Sequence, residues 1–276
     1  MTTAASEAFA PAKVNLTLHV TGQRADGYHL LDSLVMFADV GDRVTVARAE
    51  RMSLTVTGPM AAGVPEDARN LCWRAAQAFG APVAITLDKH LPAAAGIGGG
   101  SSDAAAVLRA MERLFGRPSG VDPLTLGADV PVCMLARAAR MGGIGEAVTP
   151  LTMPPLRAIL VNPRVEVATP SVFKALARRD NAPMAPLPDT GAQAGQVLDW
   201  LAQQRNDLEP PAAALRPEIG QVLGALSSLK GARLVRMSGS GATCFALFEP
   251  DTPTEAMARD LQAAIPQWWV AATVLS

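Results

Sequence analysis

The segment P-A-A-A-G-I-G-G-G-S-S-D-A-A-A, residues 92–106, is the strongest local signal in the sequence. Four of the five residues from 96 to 100 are glycine, which costs backbone entropy in a regular helix or strand. Glycine also permits φ values that other residues avoid and lets main-chain N–H groups approach a ligand closely. The segment leads directly into a predicted helix, whose N-terminus favours an anion. It therefore predicts a phosphate-binding loop, with a flexible, serine-capped loop as the alternative.

Two familiar phosphate-loop motifs do not describe this segment. No Gly-Lys-Ser/Thr follows the glycines, which excludes a Walker A loop, and serine stands at position 101 where the dinucleotide fingerprint needs its third glycine. Ser101 or Ser102 can cap the predicted helix, and their hydroxyls could also meet phosphate oxygens or Mg²⁺. Asp103 would repel a phosphate unless it points away and caps the helix.

Outward from the loop, the apolar pattern predicts alternating strands and helices. The loop helix spans 101–115, because its apolar residues recur at helical intervals and Gly116 follows. Residues 14–20 alternate and predict a strand with one buried face and a polar face of Asn15, Thr17 and His19. The remaining expectations are strands at 34–47, 53–57, 83–87, 157–161, 233–237, 244–248 and 268–274, and helices at 70–79, 196–204, 217–229 and 253–264.

Three further features lie in apolar or glycine-rich surroundings. Lys13 stands inside the strand sequence A-P-A-K-V-N-L, where a lysine usually needs a partner, although a solvent-facing lysine is the common alternative. Asp129 in L-G-A-D-V-P could be a turn or helix-cap residue. Together the two could act as a base and a cation on one hydroxyl, although spacing alone does not show that they meet. The turn S-G-S-G at 238–241 is also rich in glycine and serine. A tight hairpin explains this composition as well as a functional role does, so the signal by itself is weak.

Composition narrows the class of protein. The chain has 276 residues, 49% hydrophobic and 18% charged, which is enough for two folded domains. We expect a boundary near the prolines at 150–155, giving domains 1–150 and 151–276. The net charge of −1 with scattered basic residues argues against a nucleic-acid partner. The sequence has no apolar run long enough for a membrane span and no signal-peptide pattern at Met1–Glu7, so we expect a cytoplasmic protein with no membrane partner.

Three ordered segments resemble the motifs of the GHMP kinases. They are A-P-A-K-V-N-L-T-L near the N-terminus, the glycine loop, and M-S-G-S-G-A-T-C-F at 237–245. Three more segments, at 22–33, 126–131 and R-N-D-L-E-P at 205–210, resemble one branch of that superfamily. That branch uses ATP to phosphorylate the C2 hydroxyl of a cytidine diphosphate-linked methylerythritol in the non-mevalonate isoprenoid pathway. The resemblance runs from about residue 8 to residue 249.

The resemblance implies an α+β fold with an N-terminal ribosomal-protein-S5-like domain, a C-terminal ferredoxin-like α/β domain and an active site in the cleft between them. It implies Asp129 as general base with Lys13 as the cation beside it. It also implies a small-molecule substrate, ATP, accompanying Mg²⁺ without a dedicated ligand set, and a monomer or homodimer. The implied ATP-binding residues are Asn70, Lys89, Pro92, Ala93, Ala94, Ala95, Gly96, Ile97, Gly98, Gly99, Gly100, Ser101 and Ser102. The implied substrate-binding residues are Asn15, Tyr28, His29 and Phe173, with Phe173 stacking on cytosine.

Two departures and two alternatives stay open. The segment between Leu114 and Asp129 is shorter than the helix-containing stretch usual in the family, and alanines stand at 93–95 where relatives often have glycine. Another GHMP kinase such as a homoserine kinase is one alternative, although the segments at 22–33 and 126–131 argue against it. The other is a GHMP-fold protein that binds nucleotide without catalysis, which loss of Lys13 or Asp129 would have favoured.

Overall fold

Residues 5–276 are described by a computed structural model, and within that range they form eleven strands, eight α-helices and one 3-10 turn at Pro123–Thr125. The strands are β1 (Ala5–Asn15), β2 (His19–Gln23), β3 (His29–Arg48), β4 (Ser53–Thr57), β5 (Val83–Asp88), β6 (Ala139–Gly143), β7 (Ala147–Pro150), β8 (Leu156–Asn162), β9 (Leu234–Met237), β10 (Cys244–Phe248) and β11 (Trp269–Leu275). The helices are α1 (Leu71–Phe79), α2 (Gly99–Phe115), α3 (Val130–Leu135), α4 (Thr169–Lys174), α5 (Ala194–Ala202), α6 (Glu209–Leu215), α7 (Pro217–Ser227) and α8 (Thr254–Ala264). None of the helices in this range is long and apolar enough to cross a bilayer.

The chain divides into two compact units that do not follow its order. The first unit contains the described residues up to Lys13 with Val40–Ala93 and Gly98–Ala136, and the second contains Val14–Asp39, Ala94–Ile97 and Arg137–Ser276. This division differs from the expected boundary at residue 150. The second unit includes residues from 137 onward because β6 pairs with the first half of β3, Leu31 opposite Gly143 and Val35 opposite Ala139. Of the expectation for Met1–Glu7, residues 1–4 lie outside the described range.

In the first unit, two helices pack beside a small sheet. The second half of β3 pairs antiparallel with β5, from Arg43 opposite Asp88 to Arg48 opposite Val83, and β4 runs parallel to β5. Asn70 begins α1, since its side-chain oxygen accepts the N–H of Cys72 at 2.9 Å. Helix α2 buries alanines 104–106 completely, and α1 packs against this helix. Residues 116–129 hold the 3-10 turn rather than an α-helix.

Helix α2 begins earlier than its sequence predicts. It starts at Gly99, with Gly98 as N-cap at φ 62°, and no side-chain capping hydrogen bond forms there within residues 5–276. The expected caps from Ser101, Ser102 and Asp103 are therefore wrong. The left-handed backbone at Gly98 turns the chain into the helix instead, which glycine allows without steric strain. As a result, the whole G-G-S-S sequence lies in the first turn of the helix.

The second unit is organised around strand β8. Its neighbours are β10 and β11, both antiparallel, with Leu160 opposite Phe245 and Ala271 respectively. Strands β9 and β10 form an antiparallel hairpin, which confirms the predicted turn at 238–241. Helices α4, α6, α7 and α8 contribute apolar side chains to the core beside this sheet.

The strand predicted at 14–20 is wrong in two respects. Strand β1 ends at Asn15 and β2 begins only at His19. Moreover, the face expected to be polar and solvated is buried, with Asn15 at 3%, Thr17 at 0% and His19 at 1% exposure. Burial is tolerated because each of these side chains has at least one hydrogen-bond partner: Asn15 Nδ2 donates to the Ser33 hydroxyl at 2.8 Å, and the Thr17 hydroxyl accepts the N–H of Leu34 at 2.8 Å. His19 Nδ1 lies 3.2 Å from Ala182 O.

Candidate active site

A buried lysine and a half-exposed aspartate meet in the first unit. Lys13 Nζ lies 2.9 Å from Asp129 Oδ2, and the two side chains are 4% and 34% exposed. Asp129 occupies the N-cap position of α3, but within the described chain its side chain makes no capping hydrogen bond. A solvent-facing lysine and a purely capping aspartate are thus both excluded. The pair places an ammonium beside a carboxylate that solvent or a ligand can still reach.

The start of α2 lies against this lysine. A Cβ atom at Gly98 would lie 3.2 Å from Lys13 Cβ and 3.3 Å from its Cε, so the aliphatic part of the lysine packs on the glycine. The first main-chain N–H groups of a helix have no partner within the helix. In addition, the Ser102 hydroxyl is fully buried with no hydrogen-bond partner among residues 5–276. This helix start therefore offers several unused donors to an anion, next to the ion pair.

Beneath that helix turn, one lysine is shared by two buried carboxylates. Lys89 Nζ contacts Asp42 Oδ2 and lies 2.8 Å from Asp103 Oδ2, and all three side chains are at most 4% exposed. Asp42 Oδ1 also accepts the main-chain N–H groups of His90 at 2.6 Å and Leu91 at 2.8 Å. Asp103 therefore pairs with Lys89, whose Nζ would lie 3.3 Å from a Cβ at Gly99, and among the described residues it makes no capping hydrogen bond.

Burial governs the charges in this triad. It raises the pKa of the Asp103 carboxyl to about 8, while the Lys89 ammonium pulls that pKa down and Asp42 pushes it up. Burial opposes the charge of Lys89, but the attraction of Asp103 and Asp42 raises its pKa overall. The side chain of Lys89 is therefore a charged structural partner, and contact of this residue with adenine stays a prediction. The same holds for Asn70, whose side chain bonds Cys72 N and the carbonyl of Pro65.

The middle of the glycine loop belongs to the second unit, where the serine turn holds it. Ala95 O accepts the N–H of Thr243 at 3.1 Å, and Gly96 O accepts the Ser238 hydroxyl at 2.9 Å. A Cβ at Gly96, whose φ is 72°, would lie 2.5 Å from Ser238 O, so only glycine fits there. The sequence analysis left a hairpin as an equally good explanation of the serine turn and did not predict this contact.

The expected substrate-binding residues also lie in the second unit. The rings of His29 and Phe173 stack with centroids 4.7 Å apart and planes 25° apart, whereas Tyr28 is 61% exposed. Burial, followed by the positive charge of Arg179, lowers the pKa of His29. Asn15 has a buried Oδ1 without a partner in the described part of the chain. The structure thus brings His29 and Phe173 together, and leaves an acceptor on Asn15 unused.

The sequence analysis did not identify two buried carboxylates, Asp32 and Asp42. Asp42 is completely buried in the middle of β3 and completes the Lys89 triad. Asp32, 6% exposed, binds the guanidinium of Arg140 through both oxygens at 2.7 and 2.8 Å and accepts the N–H of Met184 at 2.9 Å. The sequence signal for both was weak, because Asp32 precedes the strand predicted at 34–47 and Asp42 stands between Gly41 and Arg43.

Comparison with known proteins defines the class. The model of the GHMP kinases N terminal domain matches residues 70–138, and that of the GHMP kinases C terminal domain matches residues 190–267. The 4-diphosphocytidyl-2-C-methyl-D-erythritol kinase of Cereibacter sphaeroides is 57% identical over 271 residues, 96% of this chain and 97% of that protein. The enzyme of the same name from Paracoccus denitrificans is 55% identical over 270 residues, 97% of this chain and 96% of its own.

Comparison with solved structures leads to the same class of protein. A crystal structure of 4-(cytidine 5'-diphospho)-2C-methyl-D-erythritol kinase superposes with a TM-score of 0.76 at 37% identity, covering 98% of this chain and 99% of that one. A homoserine kinase from Cytophaga hutchinsonii shares the fold, with a TM-score of 0.65 at 18% identity over 100% of this chain and 96% of its own. The chain therefore belongs to the class of the GHMP kinases. Within that class it belongs to the family of the 4-diphosphocytidyl-2-C-methyl-D-erythritol kinases.

Proposed function

We propose that this chain transfers the γ-phosphoryl group of ATP to the C2 hydroxyl of 4-diphosphocytidyl-2-C-methyl-D-erythritol, a step in the non-mevalonate route to isoprenoid precursors. Family membership supports both the ATP-dependent kinase activity and this acceptor alcohol. The observation in the chain itself that carries the proposal is the Lys13–Asp129 ion pair, 2.9 Å between Nζ and Oδ2, beside the start of α2. A base next to an anion-binding helix terminus is what transfer to an alcohol requires.

Asp129 is the general base in this proposal. As the hydroxyl oxygen attacks the γ-phosphorus, its proton passes to the Asp129 carboxylate, the bond from the γ-phosphorus to the β–γ bridging oxygen breaks, and ADP leaves. Lys13 favours the ionised carboxylate and offsets negative charge near the attacking oxygen. Its ammonium is held in one place because its stem is buried against Gly98.

The start of α2 and the glycine loop would hold the phosphates. Main-chain N–H groups of the first helical turn of α2 would be the donors. Mg²⁺ would arrive with ATP and keep most of its phosphate and water ligands. The hydroxyls of Ser101 and Ser102 are the candidates to contact it, and when bound it neutralises phosphate charge.

The alternatives receive less support. A homoserine kinase resembles this chain at 18% identity, which carries the fold alone, while relatives that act on the cytidylyl alcohol reach 57%. A nucleotide-binding protein without catalysis would not need the Lys13–Asp129 pair, and both residues are present and in contact. We place the protein in the cytoplasm, as a monomer or homodimer, with small molecules as its ligands.

Turnover with a panel of alcohols tests the proposed function. The purified protein is incubated with Mg·ATP and, separately, with homoserine, mevalonate, galactose and the diphosphocytidyl methylerythritol, and ADP release is measured. We expect ADP release that depends on the last alcohol. Release with homoserine instead would support the rival kinase, and ATP binding without any release would support the non-catalytic protein.

Gly98→Ala is expected to lower the apparent affinity for ATP. An alanine at this position would have to adopt the left-handed backbone conformation of Gly98. Its Cβ would also lie 3.2 Å from Lys13 Cβ, at the proposed phosphate-binding start of α2. Gly80→Ala is the matched control, because Gly80 has φ 79° and an added Cβ would meet no described atom within 4 Å. Both variants should lose roughly 1–2 kcal/mol of stability, but only Gly98→Ala should raise KM for ATP. Equal KM values in the two variants would contradict the role of this helix start.

Phe173→Leu is expected to weaken binding of the cytidylyl substrate by about tenfold, while ATP binding is unchanged, since base stacking on an aromatic ring contributes roughly 1–3 kcal/mol. Phe173 is partly buried and already stacks on His29, which fixes its ring. Phe79→Leu is the control, because Phe79 packs on another aromatic ring, Phe115, at 5.4 Å in the first unit. Substrate KM and melting temperature are measured for both. A Phe173 variant with a lowered melting temperature and an unchanged KM for the substrate would show that Phe173 is a core residue and does not stack on the base.

A further inference from the structure

Asn206, in the segment R-N-D-L-E-P, has no part in the chemistry proposed above, yet both polar atoms of its side chain make hydrogen bonds. It is 5% exposed. Its Nδ2 donates to Met237 O and to Gly239 O, both at 2.8 Å, and its Oδ1 accepts the N–H of Leu208 at 2.9 Å. A buried amide with two donors on two carbonyls of one turn holds that turn in a single conformation.

The two carbonyls flank Ser238, and this serine contacts two proposed ligand-binding segments. Its hydroxyl accepts the main-chain N–H of Asn15 at 3.0 Å and donates to Gly96 O at 2.9 Å. All these residues lie in the second unit. Asn15 is a proposed substrate-binding residue, and Gly96 is part of the proposed phosphate loop. One hydroxyl thus joins both segments, and Asn206 fixes the peptide groups on either side of it.

We propose that Asn206 is a positioning residue that, through Ser238, sets the placement of the phosphate loop at Gly96 and of the substrate strand at Asn15. The inference rests on the proposed kinase function, and it adds a residue that touches neither ligand. It gives the R-N-D-L-E-P segment a specific role in the activity of the second unit.

Backbone packing makes this placement sensitive to small shifts. A Cβ at Gly239 would lie 2.9 Å from Gly96 O, and a Cβ at Gly96 would lie 2.5 Å from Ser238 O. The turn and the loop therefore touch main chain to main chain, without side chains between them to absorb a movement. Displacing a reacting group by about 1 Å can cost about 10²-fold in rate. Release of the turn should consequently be seen in the kinetics as well as in stability.

Two substitutions separate hydrogen bonding from shape. Asn206→Ala removes both donors and leaves two buried carbonyls unpaired, and we expect KM for ATP and for the acceptor alcohol each to rise about tenfold. Asn206→Asp keeps the size and the Oδ1 acceptor for Leu208 N, but it places an oxygen against Met237 O and Gly239 O. It should be at least as harmful as alanine. Nearly normal kinetics of the aspartate variant would mean that shape alone matters, and would overturn the proposal.

Gln204→Ala is the matched control. Gln204 is another buried amide, two residues earlier and 6% exposed, whose side chain accepts the N–H of Ala185 and donates to Trp200 O. Its loss should lower the melting temperature, as we also expect for Asn206→Ala, with both KM values unchanged. If Gln204→Ala raises the KM values as much as Asn206→Ala does at the same loss of stability, the effect is general destabilisation and the proposal fails.

A double-mutant cycle tests whether Asn206 acts through Ser238. Ser238→Ala removes the joining hydroxyl, so Asn206→Ala should add little in the Ser238→Ala background, whereas independent residues would give multiplying effects on KM. Multiplying effects would overturn the proposed route. Wild-type enzyme is measured in parallel for ADP release dependent on the cytidylyl alcohol. If the wild type releases no ADP with the cytidylyl alcohol, the proposed function is wrong. If the wild type is active and the variants have unchanged KM values, only this inference is wrong.

Discussion

Asp129→Asn is expected to lower kcat by at least about 10²-fold while ATP binding stays close to that of the wild type. The amide keeps the size of the carboxylate but cannot accept the proton of the attacking hydroxyl. The local structure should persist, because within the described residues Asp129 makes no capping hydrogen bond to α3 whose loss would release the helix. Lys13 loses its charged partner, but the amide oxygen of asparagine can still accept a hydrogen bond from its ammonium.

Single-turnover kinetics and titration with ATP measure the two effects separately. Asp122→Asn is the matched control, since Asp122 lies in the same segment and its Oδ1 accepts the N–H of Leu124 at 3.0 Å, a bond that asparagine can also make. That variant should retain wild-type kcat. An Asp129→Asn enzyme with near-normal kcat would remove Asp129 from the role of base, whatever its contact with Lys13.

The sequence predicted the main elements of this fold well, because their signals are local. Helix α1 and strands β4, β5 and β10 lie within about a residue of their predicted bounds, since apolar periodicity and glycine or proline boundaries act over a few neighbours. The same locality explains the misses. Helices α3 and α6 are short, with six and seven residues, and carry too little periodicity to separate them from loops.

Contacts between distant residues could be predicted only where the chemistry of each residue was conspicuous. Lys13 and Asp129 are 116 positions apart, and the hypothesis that they meet came from two charges in apolar surroundings. The Ser238–Gly96 contact, 142 positions apart, left no such mark because serine and glycine are ordinary turn residues. Likewise, the partners that allow Asn15 and Thr17 to be buried are set by tertiary packing, which period-two alternation does not encode.

Lys89→Met is expected to destabilise the first unit by about 3–5 kcal/mol, the usual effect of leaving a buried charge without its partner. Removing the ammonium leaves Asp42 and Asp103 facing each other in a site where every side chain is at most 4% exposed. Asp42 keeps the N–H groups of His90 and Leu91, whereas the Oδ1 of Asp103 has no partner in the described chain. Burial already raises the pKa of Asp103 to about 8, so Asp103 is the carboxyl that takes up a proton when the ammonium is removed.

Denaturant unfolding of three variants checks this expectation. Lys230→Met, at an exposed lysine, should change stability by less than about 0.5 kcal/mol. Adding Asp103→Asn to Lys89→Met should restore part of the loss, because a neutral amide can be buried beside Asp42 without first taking up a proton. If Lys89→Met is instead as stable as the wild type and only ATP binding is weakened, Lys89 is a nucleotide ligand, as the family resemblance implies. If stability falls and Asp103→Asn restores it, the lysine holds the first turn of α2 in place from beneath, and its contribution to ATP binding is indirect.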